Sequence, residues 1–387
     1  MNRFMRGASA GLFALAGQFT LAGQFSGVAL AGPAVIVTID VESTASLPLP
    51  NQVDASCEEK VPCGLMHIVD MLKERGFAGT FFLNVYEYKA WGASNLRNIA
   101  LKLQAAGQDV GLHTHPQWAY DPARPDMYSY SAGDQNRIIA DGVRLLKAWT
   151  GLPVVAHRAG DYSANKDTVE ALTRNGIVLD SSLFRGHPHS KLDALALPSN
   201  LPSKIGQVVE VPVTVYKRYE HPSLFGSLAP PFIAIGKVDV NSIQSEAEAR
   251  AAVDALIDAD LPIIVVFLHS FSLIEAPLET NYALRSNTLA IGVFGALLDE
   301  ASKRHLRGTT ARELASAKNI ISDGRRDVIP EVDIMVPVLE YSVRALRAQS
   351  AATKLGIGCS MLLLGLGMSS VFFAIRRRRA LRAASNR

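Results

Sequence analysis

The sequence predicts an α/β protein built on a parallel sheet, open or closed into a barrel, and three observations carry that reading. Short apolar runs, Val35–Ile39, Val110–Leu112, Pro153–Ala156 and Ile263–Leu268, alternate with longer stretches of helical character. Gly76, Gly107 and Gly176 follow helical stretches where a left-handed C-cap is wanted, and the apolar runs beyond suit buried parallel strands. Four runs lead into polar clusters: Thr38-Ile39-Asp40-Val41-Glu42, His113-Thr114-His115-Pro116, His157-Arg158-Ala159-Gly160-Asp161 and Leu268-His269-Ser270. In sheets of strand–helix units, ligands and catalysis gather at the carboxyl ends of the strands. Two acidic groups, two closely spaced histidines, an arginine and a lone histidine are therefore expected to converge.

Taken in order, Val35–Asp40 is a strand, and a loop containing Pro and Ser leads to a helix near Gly64–Arg75. Thr80–Val85 is the next strand, Asn95–Ala106 the next helix, and Val110–His113 is extended after it. Gln135–Thr150 and Lys166–Asn175 are helices, each followed by a short extended run, Pro153–Ala156 and Ile177–Asp180. Right-handed crossovers keep such strands parallel. From Leu183 to Asn241 proline is frequent and the pattern loosens, with one strand-like run, Val208–Tyr216, that carries Glu210. Excursions of this kind shape substrate sites. A helix at Ser245–Ala259, the Ile263–Leu268 strand, a helix near Asn287–Lys303 and a short unit at Gly308–Ala317 complete the order.

Both ends depart from globular composition. Met1–Arg6 is short and basic, an apolar stretch of small residues runs to Leu30, and Ala29-Leu30-Ala31 offers a cleavage site, so residues 1–31 read as a signal peptide. Leu355–Ile375 carries no charge, and as a helix it measures about 31 Å, the thickness of a bilayer core. Arg376–Arg379 follow at once, and basic flanks stay on the cytoplasmic side. The expected organisation is a barrel domain over 32–322, a tether over 323–354 with an amphipathic stretch near Pro337–Arg347, a transmembrane helix at 355–375 and a basic cytoplasmic tail at 376–387. The expected location is a single-pass membrane protein with its catalytic domain exported, periplasmic or extracellular.

The net charge of +3 belongs to the ends, which hold eight arginines and no Asp or Glu, so the part between is acidic on balance. That balance speaks against a nucleic-acid partner. Cys57 and Cys63 share one loop and close a disulfide in an oxidising compartment, the alternative being two free thiols. Nothing in the pattern specifies an oligomeric state.

Asp40 and Glu42 stand two apart, so on an extended strand their side chains share a side. A carboxylate pair at a strand end can hold a divalent metal and act as base toward water; the alternative is an acidic start to a loop. His113 and His115 have the same spacing and can reach one ion, and neutral imidazole suits zinc best. Trp118, beyond Pro116, can wall the site. Arg158 suits a bidentate grip on a carboxylate, with Asp161 either its acceptor or the cap of the helix that starts near Asn165. His269 suits a general acid that protonates a leaving group. Asp180, in Asp180-Ser181-Ser182, offers hydrogen bonds inside the rim, so Trp118, Asp161 and Asp180 are the candidate substrate contacts. His187 and His189 repeat the His-x-His spacing but fall in the irregular region and read as loop residues.

As an ordered set these residues resemble the polysaccharide deacetylases, the NodB-homology family of carbohydrate esterases. Its members carry a Thr-Phe-Asp-Asp segment on the first strand, then His-Ser/Thr-x-x-His, Arg-x-Pro and a late Leu-x-His. Here Thr38–Glu42, His113–Pro116, Arg158–Gly160 and Leu268–His269 fall in that order, and Asp180-Ser181-Ser182 looks like the family's segment after the fourth helix. The resemblance implies a distorted (β/α) barrel of about seven strands. It also implies zinc-assisted removal of acetyl from an N-acetylated sugar. Asp40 then matches the base, Arg158 its partner, His113 the first metal histidine and His269 the general acid.

Three departures mark a divergent branch. Val41 stands where the family has its second Asp, a metal ligand, so Asp40 or Glu42 must supply that bond. The second metal histidine is expected at Gln117, so His115 must substitute from a different spacing. The Arg-x-Pro motif reads Arg158-Ala159-Gly160. The reading is a metal-dependent hydrolase that removes acetyl groups from N-acetylated sugars of an envelope or exported polysaccharide, anchored by one C-terminal helix. Its rival is a non-catalytic, membrane-anchored sugar-binding or polysaccharide-assembly protein on the same barrel.

Overall fold

In the computed structural model the described residues are 32–336, apart from 59–60, 223–230, 276–283, 318–319 and 322–323. The first strand, β1 (Ala34–Val41), is buried along its whole length because both of its faces are covered. The short α1 (Leu49–Gln52) and then α2 (Leu65–Glu74) lead to β2 (Gly79–Asn84). A short α3 (Tyr88–Trp91) precedes α4 (Ala93–Ala105), which returns the chain to β3 (Asp109–Thr114). Next come α5 (Ala132–Thr150), β4 (Ala156–Ala159), α6 (Lys166–Arg174) and β5 (Leu179–Asp180).

Local chemistry fixes the ends of these helices. Ser131 accepts from Asp134 N at the start of α5, and Gly151 closes that helix in the left-handed region at φ 72°. Asn165 and Thr168 form a reciprocal capping box on α6, leaving Asp161 no capping role. Gly76, Gly107 and Gly176 all take positive φ after their helices, as expected of C-caps.

The loosened stretch is two separate systems. An antiparallel pair, β6 (Ser203–Ile205) and β7 (Val208–Glu210), extends the main sheet beyond β5. The chain then leaves it, and β8 (Val215–Pro222) pairs with β9 (Phe232–Lys237) in a second sheet. The run expected as one strand over Val208–Tyr216 is therefore broken between sheets. After α7 (Glu246–Asp258), β10 (Ile263–His269) pairs with β1 in parallel, Asp40 opposite His269. A small pair, β11 (Ile274–Glu275) and β12 (Arg285–Ser286), precedes α8 (Thr288–Lys303). Then β13 (Arg307–Thr309) joins β1, and α9 (Ala311–Ser316) follows with its Thr310/Glu313 capping box. Finally β14 (Glu331–Val336), within the stretch expected as a tether, pairs with β8.

The main sheet runs β10-β1-β2-β3-β4-β5-β7-β6, with β13 beside β1. This corrects the expected barrel of about seven strands: the sheet is an open, curled half-barrel with an eight-strand path. Closure fails because the segment after β7 peels away into the sheet with β9 and β14. Beside β10 it leaves the isolated bridge of Asp239 to Phe267 and a bond from Val265 N to Thr214 Oγ1.

The membrane expectations are also corrected. Among the described residues no helix is long and apolar enough to cross a membrane. The longest, α5, carries Asp134, Arg137, Asp141, Arg144 and Lys147 along a two-faced surface, and charges in hydrocarbon are costly. No helix among the described residues therefore supplies the expected C-terminal transmembrane helix or supports the single-pass membrane location. The expected span, 355–375, the tail and the signal peptide lie outside the described residues.

Cys57 and Cys63 are joined in a disulfide, which decides between the two alternatives for that loop. The bridge packs with Leu47, Ala55 and Ile274, against Phe271.

Candidate active site and metal centre

Parallel register brings the polar clusters to one end of the sheet. Asp40 lies opposite His269 on one side and Phe82 on the other, and Asn84, His113 and Arg158 form a continuous row. The third cluster sits on its strand rather than after it, since β4 spans Ala156–Ala159 and not the expected Pro153–Ala156.

Arg158 is fully buried and makes four contacts. Its Nη1 donates to Asp40 Oδ1 at 2.9 Å, Nη2 to Thr38 Oγ1 and Ser181 Oγ, and Nε to the Ser181 carbonyl. The guanidinium lies over the Phe82 ring at 4.6 Å. Its carboxylate partner is therefore Asp40, and Asp161 is exposed with a left-handed φ of 50°.

His113 donates from Nδ1 to the Arg158 carbonyl at 2.9 Å, so Nε2 is the ring nitrogen left for another partner. That Nε2 is buried and has no hydrogen-bond partner. It lies 3.4 Å from Glu42 Oε2 and 3.8 Å from Asp40 Oδ2. His115 Nε2 lies 2.6 Å from the same Glu42 oxygen. Glu42, His113 and His115 each turn one ligand atom inward, all within 4.8 Å of one another, and this group can hold a metal ion. The bare, buried Nε2 of His113 is the atom a divalent cation would satisfy, so the donor set fits such an ion. Burial by itself would raise the Glu42 carboxyl. The imidazoles of His115 and His113 outweigh it and hold the group well below the usual carboxylate range. His115 answers in kind: burial opposes its charge, but Glu42 with Asp161 and Asp40 lifts it to about 9.

His269 stands across the group, its Nε2 3.6 Å from Glu42 Oε1. It stacks on Phe271 and meets Phe267 edge-on, both at 4.8 Å. Burial lowers its basicity, and Glu42 and Asp40 offset that only in part. Asp180 lies at 0% exposure, held by His157 Nδ1 at 2.8 Å and Ser182 Oγ at 2.7 Å, below the rim where it was expected. Trp118 is half-buried and faces Trp91. His189 bonds Asp126 and His187 stacks on Phe184, so neither joins the metal group.

Several residues at the site carry no signal in a motif. The Glu87 carboxylate accepts from Ser43 N, Ser43 Oγ, Asn84 Nδ2 and Trp91 Nε1, pinning the residue after Glu42. Gln52 Nε2 donates to the Glu42 carbonyl, and Ser270 Oγ accepts from Glu42 N. Lys237, from the second sheet, reaches Tyr162 Oη at 3.0 Å and Asp239 at 3.2 Å over the Phe267 ring. Burial works against its charge, but Tyr162 and Asp239 raise its basicity. These partners meet only through the fold.

Residues 52–179 match the family model described as polysaccharide deacetylase. No curated protein matches the chain. Among solved structures, a protein described as a polysaccharide deacetylase from Mycobacterium smegmatis is 18% identical. That match covers 73% of this chain and 88% of that one, with a TM-score of 0.45. A family 4 carbohydrate esterase from Streptomyces lividans, solved with acetate, is 11% identical over 77% of this chain and 98% of that one, TM-score 0.38. A family 4 pseudoenzyme from Bacillus anthracis is 13% identical over 79% and 70%, TM-score 0.41. The matched segment includes both site histidines and Arg158. Over that segment the chain is similar to the polysaccharide deacetylases.

Proposed function

We propose that this protein is a metal-dependent deacetylase that removes acetyl from N-acetylated sugars of an envelope or exported polysaccharide, with Zn2+ as its metal. The observation that carries the proposal is the convergence of Glu42, His113 and His115 on one point beside Asp40 and His269. Glu42, His113 and His115 are the ligands in this reading. A divalent ion held there supplies Lewis-acid polarisation of the amide carbonyl and makes water more acidic.

Asp40 is the base. Arg158 occupies its Oδ1, while Oδ2 faces the ligand group and is the oxygen that takes a proton from water. His269, on the opposite side of Glu42, gives a proton to the departing amine, and its lowered basicity makes it the better donor. The N-acetyl group then sits between Asp40 and His269, with Trp118 as a wall for the sugar.

The test is metal analysis of the purified protein with acetate release from N-acetylated oligosaccharides. His113→Ala and His115→Ala are expected to bind the metal far more weakly and to lose activity, and Asp40→Asn to keep metal but not turnover. A wild-type protein that binds no divalent ion sinks the proposal. Sugar binding without acetate release would select the non-catalytic rival.

A further inference from the structure

Two of the sequence departures meet in space at Gly160. A Cβ built on Gly160 would lie 2.5 Å from both Nδ1 and Nε2 of His115, and in contact with Cε1 as well. Non-bonded carbon and nitrogen cannot approach so closely, so a side chain at 160 and the imidazole of His115 exclude one another. Gly160 has no left-handed φ, so its backbone would accept alanine, and the glycine is required by the space alone. The backbone cannot recede. The Gly160 carbonyl accepts from Ser163 N at 3.0 Å and Ser163 Oγ at 2.6 Å, and Ser163 is itself bonded to Met127 N and Tyr128 N. Immediately after it, Asp161 and Tyr162 both hold left-handed φ of 50° and 57°, a bend costing about 1–3 kcal/mol per residue that only firm surroundings sustain.

We infer that Gly160 is a positioning residue for the metal centre: it leaves the space in which His115 turns Nε2 onto Glu42 and the ion. The inference rests on the proposed metal-dependent reading. The proline of the Arg-x-Pro pattern carries a Cβ and would meet the same imidazole. A proline at 160 and this placement of the His115 ring are sterically incompatible, so the glycine and the histidine form one linked arrangement. Gln117, where the second histidine is otherwise expected, completes it. Its side-chain amide lies 3.2 Å from His115 Nδ1, and by presenting either its NH2 or its carbonyl oxygen it satisfies either tautomer of the ring. The carbonyl oxygen, buried and without a partner, is the one that would accept from Nδ1–H when Nε2 binds an ion.

The experiment is a double-mutant cycle on the full chain: wild type, Gly160→Ala, His115→Ala and both together. Zn2+ affinity is measured against a chromophoric chelator, and the Co2+ absorption spectrum reports ligand geometry. Gly160→Ala is expected to weaken Zn2+ binding about 10–100-fold and to alter the Co2+ spectrum, with the metal-free unfolding temperature little changed. In the His115→Ala background the added methyl is expected to change Zn2+ affinity less than about twofold, because coupling vanishes with the partner. Wild-type affinity in Gly160→Ala, or an equal loss in both backgrounds, overturns the inference while leaving the metal-dependent reading intact. Absence of Zn2+ binding by wild type removes both. If Gly160→Ala alone fails to fold, recovery of folding in the double variant supports the steric link, and failure of both overturns it.

Discussion

Arg158 and Asp40 are joined at 2.9 Å across 118 positions of chain, and neither is more than 6% exposed at its side chain. The pair ties β4 to β1 beneath the ligand group and leaves Asp40 one oxygen for chemistry. An ionised carboxylate so deep is tolerable only with such a partner.

Removing the guanidinium should therefore cost both stability and function. Arg158→Met is expected to lower unfolding free energy by about 3–5 kcal/mol, read from a urea titration, with acetate release lost. Arg158→Lys should not rescue activity, since an ammonium cannot reproduce contacts to Asp40, Thr38 and Ser181 at once. Near wild-type turnover in Arg158→Lys would contradict this role.

Chelation should separate metal from fold. The hydrophobic core is built from apolar side chains of the sheet and its helices, so the metal-free protein is expected to remain folded but inactive. Adding Zn2+ at a thousand times its dissociation constant should stabilise it by about 4 kcal/mol, seen as a rise in melting temperature. His113→Ala should show no such rise.

Glu87 should matter more than its distance from any motif suggests. Four donors point at its carboxylate, and each one stranded in a buried place costs about 1–3 kcal/mol. Glu87→Gln turns one oxygen into a donor facing other donors. It is expected to destabilise the fold and to loosen Ser43, weakening Zn2+ binding about 10–100-fold; calorimetry and chelator competition measure the two effects. Unchanged metal affinity would reduce Glu87 to a packing role.

Glu210 provides the pH signature. Burial, with Asp180 beside it, raises its carboxyl well above the usual range. Asp180 Oδ2 and Glu210 Oε2 each lack a donor, and a proton on Glu210 supplies one. The folded protein thus holds a proton the unfolded chain has already released above about pH 4.5, so this group's contribution to stability declines as pH rises from there through the folded pKa. Glu210→Gln keeps an acceptor for Leu183 N, which Glu210 Oε1 serves at 2.8 Å, and carries a permanent donor for Asp180. Its stability relative to wild type should improve between pH 5 and pH 8, by about 1.4 kcal/mol for each unit of the shift. A constant difference across that range would exclude the shared proton.

Much of the architecture was legible because it is written locally. Burial on both faces makes β1 and β10 largely apolar, and left-handed glycines punctuate the helices, so strand–helix order could be read from neighbours in sequence. The paired histidines were legible for a similar reason: a spacing of two on an extended strand places both side chains on one side. Their distance from Glu42, Asp40 and His269 followed from parallel register, which the alternation of strands and helices implies.

The sequence by itself determined the succession of strands and helices in the first half, the candidate ligands Asp40, Glu42, His113 and His115, and the pairing partners available to Arg158. Only the tertiary structure decided that the sheet stays open, because nothing local says that the chain after β7 will join β9 and β14 instead of closing the barrel. It also decided that Arg158 takes Asp40 and not Asp161, that Glu87 and Lys237 stand at the site, and that Gly160 lies under His115. Each of these is a contact between side chains or backbone far apart along the polymer. Such contacts depend on distances that periodicity and spacing do not encode.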